Sequence, residues 1–358
     1  MKVYINGRFL TRKMTGVERY ATELLTALDV ILAQEGAGDE TWTILAPQGV
    51  DPASSPFRNI DLRVGGRGGG HAWEQLSLPG LAADGVLLNL ANSGPLRHRR
   101  SFTVIHDAIV YRMPKLFSFR YRSLHQTLGW ALSRLSWLGT VSEFSRRELA
   151  AVFRIDPGRI AVLPNGSDHL GQVQPDGGIL ERFSLRRDGF FLFVGSPAPH
   201  KNLERALRAY ASLAKTDRAF VIVGSSQANV FGKTHEPLPA GAVATGRLSD
   251  AEVAALYANA TALVFPSLYE GFGIPPLEAM TYGAPVLAAD VPPIREVCGG
   301  AATYFDPLSE PEMAAAMRAV SGTGRDAAFP EAEARERLRS FQWQDTARAL
   351  REAVRGIA

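Results

Sequence analysis

Apolar residues along this chain of 358 residues come in short runs separated by stretches of helical periodicity. Val3, Tyr4 and Ile5 read as a buried strand, and Asn6-Gly7-Arg8 turns out of it. Val17, Leu24, Leu25 and Leu28 then recur at helical spacing behind Thr15-Gly16, which predicts a helix. Strand-like runs follow at 43–46, 60–64, 85–90, 102–105, 138–141 and 159–164. A second series begins at 190–194 and continues at 219–223 and 243–245, with helices from Asn202 and Asp250. Ser249 with Glu252, and Ser309 with Glu312, have the spacing of capping boxes. Beyond Pro330 the pattern is helical to the end, through 337–354. Strands alternating with helices predict parallel, doubly wound α/β sheets, one in each half. Asn165-Gly166 and the Gly- and Pro-bearing stretch 171–178 read as a linker. The expected organisation is a first domain at 1–170, a second at 171–340 and a terminal helix at 341–358. Ligands of such sheets bind beyond the carboxyl ends of the strands, so two facing sheets would enclose a cleft.

The densest chemistry lies in 262–289, ALVFPSLYEGFGIPPLEAMTYGAPVLAA. Leu263, Val264 and Phe265 predict a strand buried on both faces. Pro275 and Pro276 suit the first turn of a helix, and Gly283 before Pro285 ends it. Between strand and helix stands Glu270-Gly271-Phe272-Gly273. A loop feeding a helix N-terminus attracts anions, because free amides and the helix dipole act together. Glu270 in the loop and Glu278, expected in the first turn, bracket it. A carboxylate beside an anion site makes sense where it accepts hydrogen bonds from neutral hydroxyls, and an anion flanked by two polyols describes a nucleotide sugar. The plain alternative is that Glu278 favours the helix dipole and the glycines make a tight turn.

Composition narrows the class without naming it. Lys and Arg number 39 against 36 Asp and Glu, a net charge of +3 that is too small to argue for nucleic acid. The single cysteine, Cys298, rules out an internal disulfide and a cysteine metal cluster, in keeping with a reducing cytosol. The opening residues carry no secretory pattern, and no apolar run approaches the ~18 residues a membrane span needs. A cytoplasmic protein is expected, with the inner face of a membrane as an alternative address. No Asp-x-Asp pair offers a metal clamp, and no paired acid and base announces a hydrolase. Gly65 to Gly70 reads as a flexible loop without the strand-to-helix setting of a phosphate cradle.

The motif Glu270-x7-Glu278, with GFG after the first glutamate and P-x-E-A-M running to G-x-P-V, resembles the retaining GT-B glycosyltransferases. TGVERY near the start and HKN at 200–202 resemble a bacterial polysaccharide mannosyltransferase-like subgroup. The resemblance implies a GT-B fold: two facing Rossmann-like, doubly wound parallel-sheet domains with an interdomain cleft, the terminal helix crossing back to the first domain. It implies transfer of a hexose, mannose as the first choice, from a nucleotide sugar (GDP-mannose or another nucleoside diphosphate hexose) with retention. The acceptor would be a saccharide or a polyprenyl-diphosphate-linked saccharide, in polysaccharide or glycolipid assembly. No cofactor or metal is required.

By the same resemblance Glu270 contacts the transferred sugar, Gly271, Phe272, Gly273 and Ile274 offer amides, and Glu278 holds the ribose. Lys201 matches a lysine on the donor diphosphate; the arginine that commonly accompanies it is Ser196 here, which leaves His200, Ser196 and backbone amides to meet the second charge. Gly16 matches a glycine that admits the donor phosphate, and His106 a donor-sugar contact with a catalytic part. Each has its ordinary counterpart: a solvated lysine, a turn glycine, a histidine orienting Asp107. Arg247 after Gly246 is a further donor-side candidate, or a surface arginine. Asp107, Trp73 and Arg19 are candidate acceptor contacts. From Arg97 to Arg122 seven Lys and Arg face one acid, Asp107. With Tyr111, Phe117, Phe119, Tyr121 and Trp73 nearby, this stretch suits an anionic membrane surface, or is simply a solvated basic face. Two other functions remain open at this stage: a nucleotide-sugar epimerase on the same plan, and a non-catalytic nucleotide-sugar-binding protein.

Overall fold

A computed structural model describes residues 1–171, 173–213, 216–224 and 238–357. The chain forms two compact units, Met1–Gly166 with Gln342–Ala358, and Ser167–Phe341. The first boundary falls four residues before the expected one, for a local reason. Ser167 already donates from its amide (2.9 Å) and hydroxyl (3.0 Å) to the Phe341 carbonyl, and Leu170 receives the Tyr282 hydroxyl. Gln172 of the expected linker lies outside the described residues.

Unit 1 contains the strands β1 (Lys2–Asn6), β2 (Thr41–Ala46), β3 (Asp61–Val64), β4 (Val86–Asn89), β5 (Ser101–Val104), β6 (Trp137–Thr140) and β7 (Ile160–Val162). Among the described residues they form one sheet in the order β3-β2-β1-β4-β5-β6-β7, with every pairing parallel. Strand order reverses between β1 and β4. β1, β4 and β5 are buried on both faces, which is why they read as unbroken apolar runs. The helix Gly16–Glu35 buries Tyr20, Leu24, Leu25, Leu28 and Ile31 as its spacing predicted.

Unit 2 contains β8 (Phe190–Val194), β9 (Ala219–Val223), β10 (Ala242–Gly246), β11 (Ala262–Phe265), β12 (Val286–Ala289) and β13 (Thr303–Phe305), in the order β10-β9-β8-β11-β12-β13 and again parallel. Here the order reverses between β8 and β11. Phe191, Phe193, Phe220 and Ile222 pack beneath Leu203, Ala206, Leu207 and Tyr210 of the helix Leu203–Ala211. Each large apolar side chain buried this way contributes about 1.5–3 kcal/mol.

Four expectations are corrected. The C-terminal stretch is two helices, Glu331–Ser340 and Trp343–Arg355, separated where Phe341 leaves helical geometry and packs edge-on against Phe272 (5.2 Å between centroids). The second of these packs on Gly16–Glu35 and carries Arg351 and Arg355 to the Glu40 carboxylate at 2.8 and 2.5 Å. Gly65 to Gly70 does join a strand, β3, to a helix, Gly70–Leu76. Gly66 has φ +82°, and a Cβ there would stand 2.6 Å from Ser77 and 2.8 Å from the Trp73 indole nitrogen. Trp73 itself is a fully buried core residue whose indole donates to the Gly65 carbonyl at 2.7 Å, so it is no surface acceptor platform. Lastly, Ser249 and Glu252 form the full capping box, whereas the Glu312 carboxylate accepts from the Asp306 amide instead of closing the box with Ser309.

Candidate functional site

β8 and β11 flank the reversal point of the unit 2 sheet, and the segments that follow their carboxyl ends are strapped to one another. After β8 the chain makes a short 3-10 turn, Pro199–Lys201. Asn202 then takes φ +58° and caps the helix Leu203–Ala211. Its side-chain amide donates to the Pro266 carbonyl at 3.0 Å and to that of Pro307 at 2.7 Å. The Leu268 amide in turn donates to the His200 carbonyl at 2.8 Å. These bonds hold the segment after β8 against the segment after β11.

The strapping brings Lys201 to Glu270. Nζ stands 2.7 Å from Oε1, and the two side chains keep 21% and 12% of their surface accessible. The ammonium also lies 5.9 Å from the Phe265 ring centroid. Beside them, burial and then the Lys201 charge push the His200 imidazole below its usual range, with Glu270 opposing. Ser196 is exposed on the same connection.

Beyond Glu270, Gly273 adopts φ +114° and starts the helix Ile274–Thr281 with Pro275 and Pro276 in its first turn. A Cβ on Gly273 would come 2.8 Å from Ile294 Cδ1. Phe272 turns its side chain inward against Phe341, so past Glu270 the loop residues 271–273 can meet a ligand only with their main chain. Glu278 sits in the second turn, not the first, and does not complement the dipole at the helix start. One carboxylate oxygen accepts the Tyr257 hydroxyl at 2.8 Å, and the other lies 3.1 Å from His169 Nε2. Tyr257 and His169 are distant in sequence from Glu278, and no local pattern pointed to them. Ser267, also missed, has a fully buried hydroxyl without a hydrogen-bond partner among the described residues.

The other candidates are scattered. Arg247 is exposed just after β10, two strands from β8. In unit 1, His106 is buried, donates its amide to Asn92 Oδ1 at 2.7 Å and places Nε2 2.9 Å from the Leu90 carbonyl. Its own carbonyl accepts the Ser145 hydroxyl at 3.0 Å, and its ring meets Tyr20 edge-on at 4.7 Å. Burial lowers its pKa to about 4. Asp107 accepts the Ile109 amide at 2.8 Å. Gly16 begins its helix with open space around it. Arg19 pairs with Glu23 at 3.8 Å one turn on. Among the described residues no helix is long and apolar enough to cross a membrane.

Comparison with known proteins fits this geometry. Residues 181–326, which hold Lys201, Glu270 and Glu278, match the family described as glycosyl transferases group 1. O-antigen chain mannosyltransferase B of Escherichia coli is 30% identical over 224 residues, covering 60% of this chain and 59% of that protein. The chain spans about three-fifths of the length of the curated relatives of this kind (59% and 62%). Among solved structures, sucrose-phosphate synthase from Thermosynechococcus elongatus superposes with a TM-score of 0.75 at 16% identity, covering 99% of this chain and 98% of that one. Anabaena HepE in complex with UDP-glucose superposes with a TM-score of 0.69 at 17% identity, covering 99% and 100%. Two parallel α/β units, a glycosyl transferases group 1 match across most of the second and full-length structural likeness lead to one conclusion: the chain has the GT-B fold, and its second unit resembles the glycosyl transferases group 1 family.

Proposed function

We propose that unit 2 binds a nucleotide sugar at the β8/β11 reversal point, and that the chain transfers its hexose with retention to a saccharide or a polyprenyl-diphosphate-linked saccharide. The observation that carries this reading is the Lys201–Glu270 pair, 2.7 Å apart and partly open to solvent on strapped segments. In this pair the Glu270 carboxylate stands where a phosphate oxygen would also be welcome. When a diphosphate arrives, Lys201 exchanges partners and Glu270 is released to accept hydrogen bonds from the sugar's hydroxyls. Glu278, oriented by Tyr257 and His169, receives the ribose hydroxyls. Ser196, His200 and the main chain of 271–274 supply neutral donors to the phosphates, and Arg247 lies on the nucleotide side. Mannose on a guanosine diphosphate is our first choice of donor, on the strength of the O-antigen mannosyltransferase likeness; the UDP-glucose held by HepE supports the general class.

The chemistry asks little of side chains. The bond from the sugar's anomeric carbon to the diphosphate oxygen lengthens, and the acceptor hydroxyl approaches on the same face. Its proton passes to the departing phosphate oxygen as the new glycosidic bond forms. Lys201 and the helix-start amides stabilise the charge on the diphosphate without a metal. His106, whose imidazole and carbonyl are both engaged, serves here as the brace of the β5 end rather than as a proton carrier. Thermal shift against a panel of nucleotide sugars tests binding, because a ligand held only by the folded chain raises its stability. Product NMR with EDTA present tests retention and metal independence. Near-normal transfer by Glu270→Ala would remove the site assignment.

We also propose that unit 1 rests on an anionic membrane surface, which would put the reaction at the cytoplasmic face. No acid occurs between Asp107 and Glu143. Within that interval Phe119 (72%), Trp130 (53%) and Trp137 (49%) are exposed, and Arg134 lies 4.1 Å over the Trp130 ring. Rings with one apolar and one wet side suit a lipid interface. Tyr111, by contrast, is tied inward to the Gln126 carbonyl, and Arg112 to Glu148. Flotation with phosphatidylglycerol vesicles but not with phosphatidylcholine vesicles is expected; equal behaviour with both would end this proposal.

A further inference from the structure

The reversal point of the unit 1 sheet, between β1 and β4, carries a polar network that the donor site does not use. Asn6 ends β1 and Asn89 ends β4, and the Asn6 amide bridges Asn89 Oδ1 (3.0 Å) and Glu74 Oε1 (2.8 Å). Arg8 Nε (3.0 Å) and the Ser93 hydroxyl (2.9 Å) donate to the same oxygen. Glu74 is wholly buried, and its other oxygen takes His71 at 3.1 Å through Nδ1. Burial alone would raise its pKa; the His71 hydrogen bond, the Arg8 charge and the bonds from Asn6 and Ser93 together hold it below the usual value. A carboxylate so supplied is ionised, so His71 Nδ1 is the protonated nitrogen.

His71 is the edge of this network that solvent reaches, with 35% of its side chain accessible. Its ring meets that of His125 edge-on at 5.9 Å, and His125 stacks on the half-exposed Tyr121 at 3.9 Å. His125 Nδ1 donates to the Tyr121 carbonyl at 2.9 Å. Both imidazoles are therefore fixed through Nδ1, and neither Nε2 has a protein partner among the described residues. Two of the nearby cations pair with carboxylates, Arg8 with Glu74 and Arg12 with Glu18 at 3.1 Å. Two ring nitrogens oriented through Nδ1 and an aromatic stack suit a ligand of neutral hydroxyls with an apolar face, such as a sugar ring.

We infer that this is a saccharide-binding site, where the acceptor's sugar ring hydrogen-bonds His71 Nε2 and His125 Nε2 beside the Tyr121 ring. The inference rests on the glycosyltransferase reading for the name acceptor, but the binding does not depend on it. Saturation-transfer NMR with methyl glycosides of mannose, glucose, galactose and rhamnose tests it directly on the full chain. Transfer to at least one glycoside is expected, weakened at least tenfold in His71→Gln and in His125→Gln, with nucleotide-sugar binding unchanged. His125, half-buried and outside the Glu74 network, guards against a result caused by misfolding at His71. No transfer to any glycoside, transfer undiminished in the double variant, or displacement of the glycoside by inorganic pyrophosphate would each overturn it. Loss of the nucleotide-sugar response in the wild-type protein would instead remove the donor reading and leave a histidine-dependent saccharide site standing.

Discussion

Each sheet places a cation and a carboxylate at its reversal point, yet the two pairs are built differently. In unit 1, Glu74 is sealed from solvent and receives Asn6, Arg8, Ser93 and His71. In unit 2, Glu270 meets Lys201 at 2.7 Å, its one side-chain hydrogen bond among the described residues, and solvent still reaches the pair. A saturated buried carboxylate holds loops in place, because withdrawing any partner strands charge in a dry interior. A partly open pair with a flexible ammonium can dissolve when a better anion arrives, at little cost to the fold. The same topology thus supplies a framework in one unit and an exchangeable site in the other.

The contrast is most exposed to test at Glu74. Its replacement by alanine leaves Arg8 buried without its partner and is expected to cost about 3–5 kcal/mol of unit 1 stability in urea unfolding. Glu270→Ala should cost at most about 1 kcal/mol by the same measurement. Equal losses would erase the distinction drawn above.

Lys201→Ala sharpens the other side. Losing the group that stabilises the departing diphosphate should lower kcat on the order of 10²–10³-fold, with the unfolding midpoint nearly unmoved. A variant that turned over normally would leave the open pair without a purpose.

pH separates the units as well. His106, held neutral by burial with a pKa of about 4, titrates near 6.5 once unfolded. The unfolded chain therefore binds the proton first, so this contribution is complete above about pH 6.5 and lost as pH falls toward 4, by about 3 kcal/mol. His106→Asn should flatten that part of the unit 1 profile. An unaltered slope would show that other groups govern it.

The smallest effect concerns Glu278. Tyr257→Phe removes one hydrogen bond to the Glu278 carboxylate while leaving that of His169, so donor affinity should fall by about 1 kcal/mol, or several-fold, in a titration with the nucleotide sugar that wild type binds. A loss as large as that of Lys201→Ala would mean that Tyr257 does more than orient the carboxylate.

Much of the fold was readable because β8, β9, β11 and β12 are buried on both faces and the helices between them carry caps such as Ser249 with Glu252. β3 was readable as a strand, but its alternating, half-exposed residues hid its connection through Gly65 to Gly70. The break at Phe341 was invisible because a helical pattern continues on either side; what interrupts it is a ring on Phe272 and a hydrogen bond from Ser167. At the site, Lys201, Glu270 and Glu278 were legible as motif members. Their partners were not: His169, Tyr257 and Asn202 act across separations that no local spacing encodes. In unit 1, Trp73 was misjudged as surface because its burial against Tyr4, Leu45 and Leu87 is tertiary.

By itself the sequence determined two alternating α/β halves and a glycine loop between acidic residues, since apolar period, proline position and glycine placement act over a few neighbours. Only the tertiary structure decided which carboxylate is locked and which is open. That difference depends on how many donors reach each oxygen and how much water is excluded around it, and both are set by strands that meet only after the chain has folded.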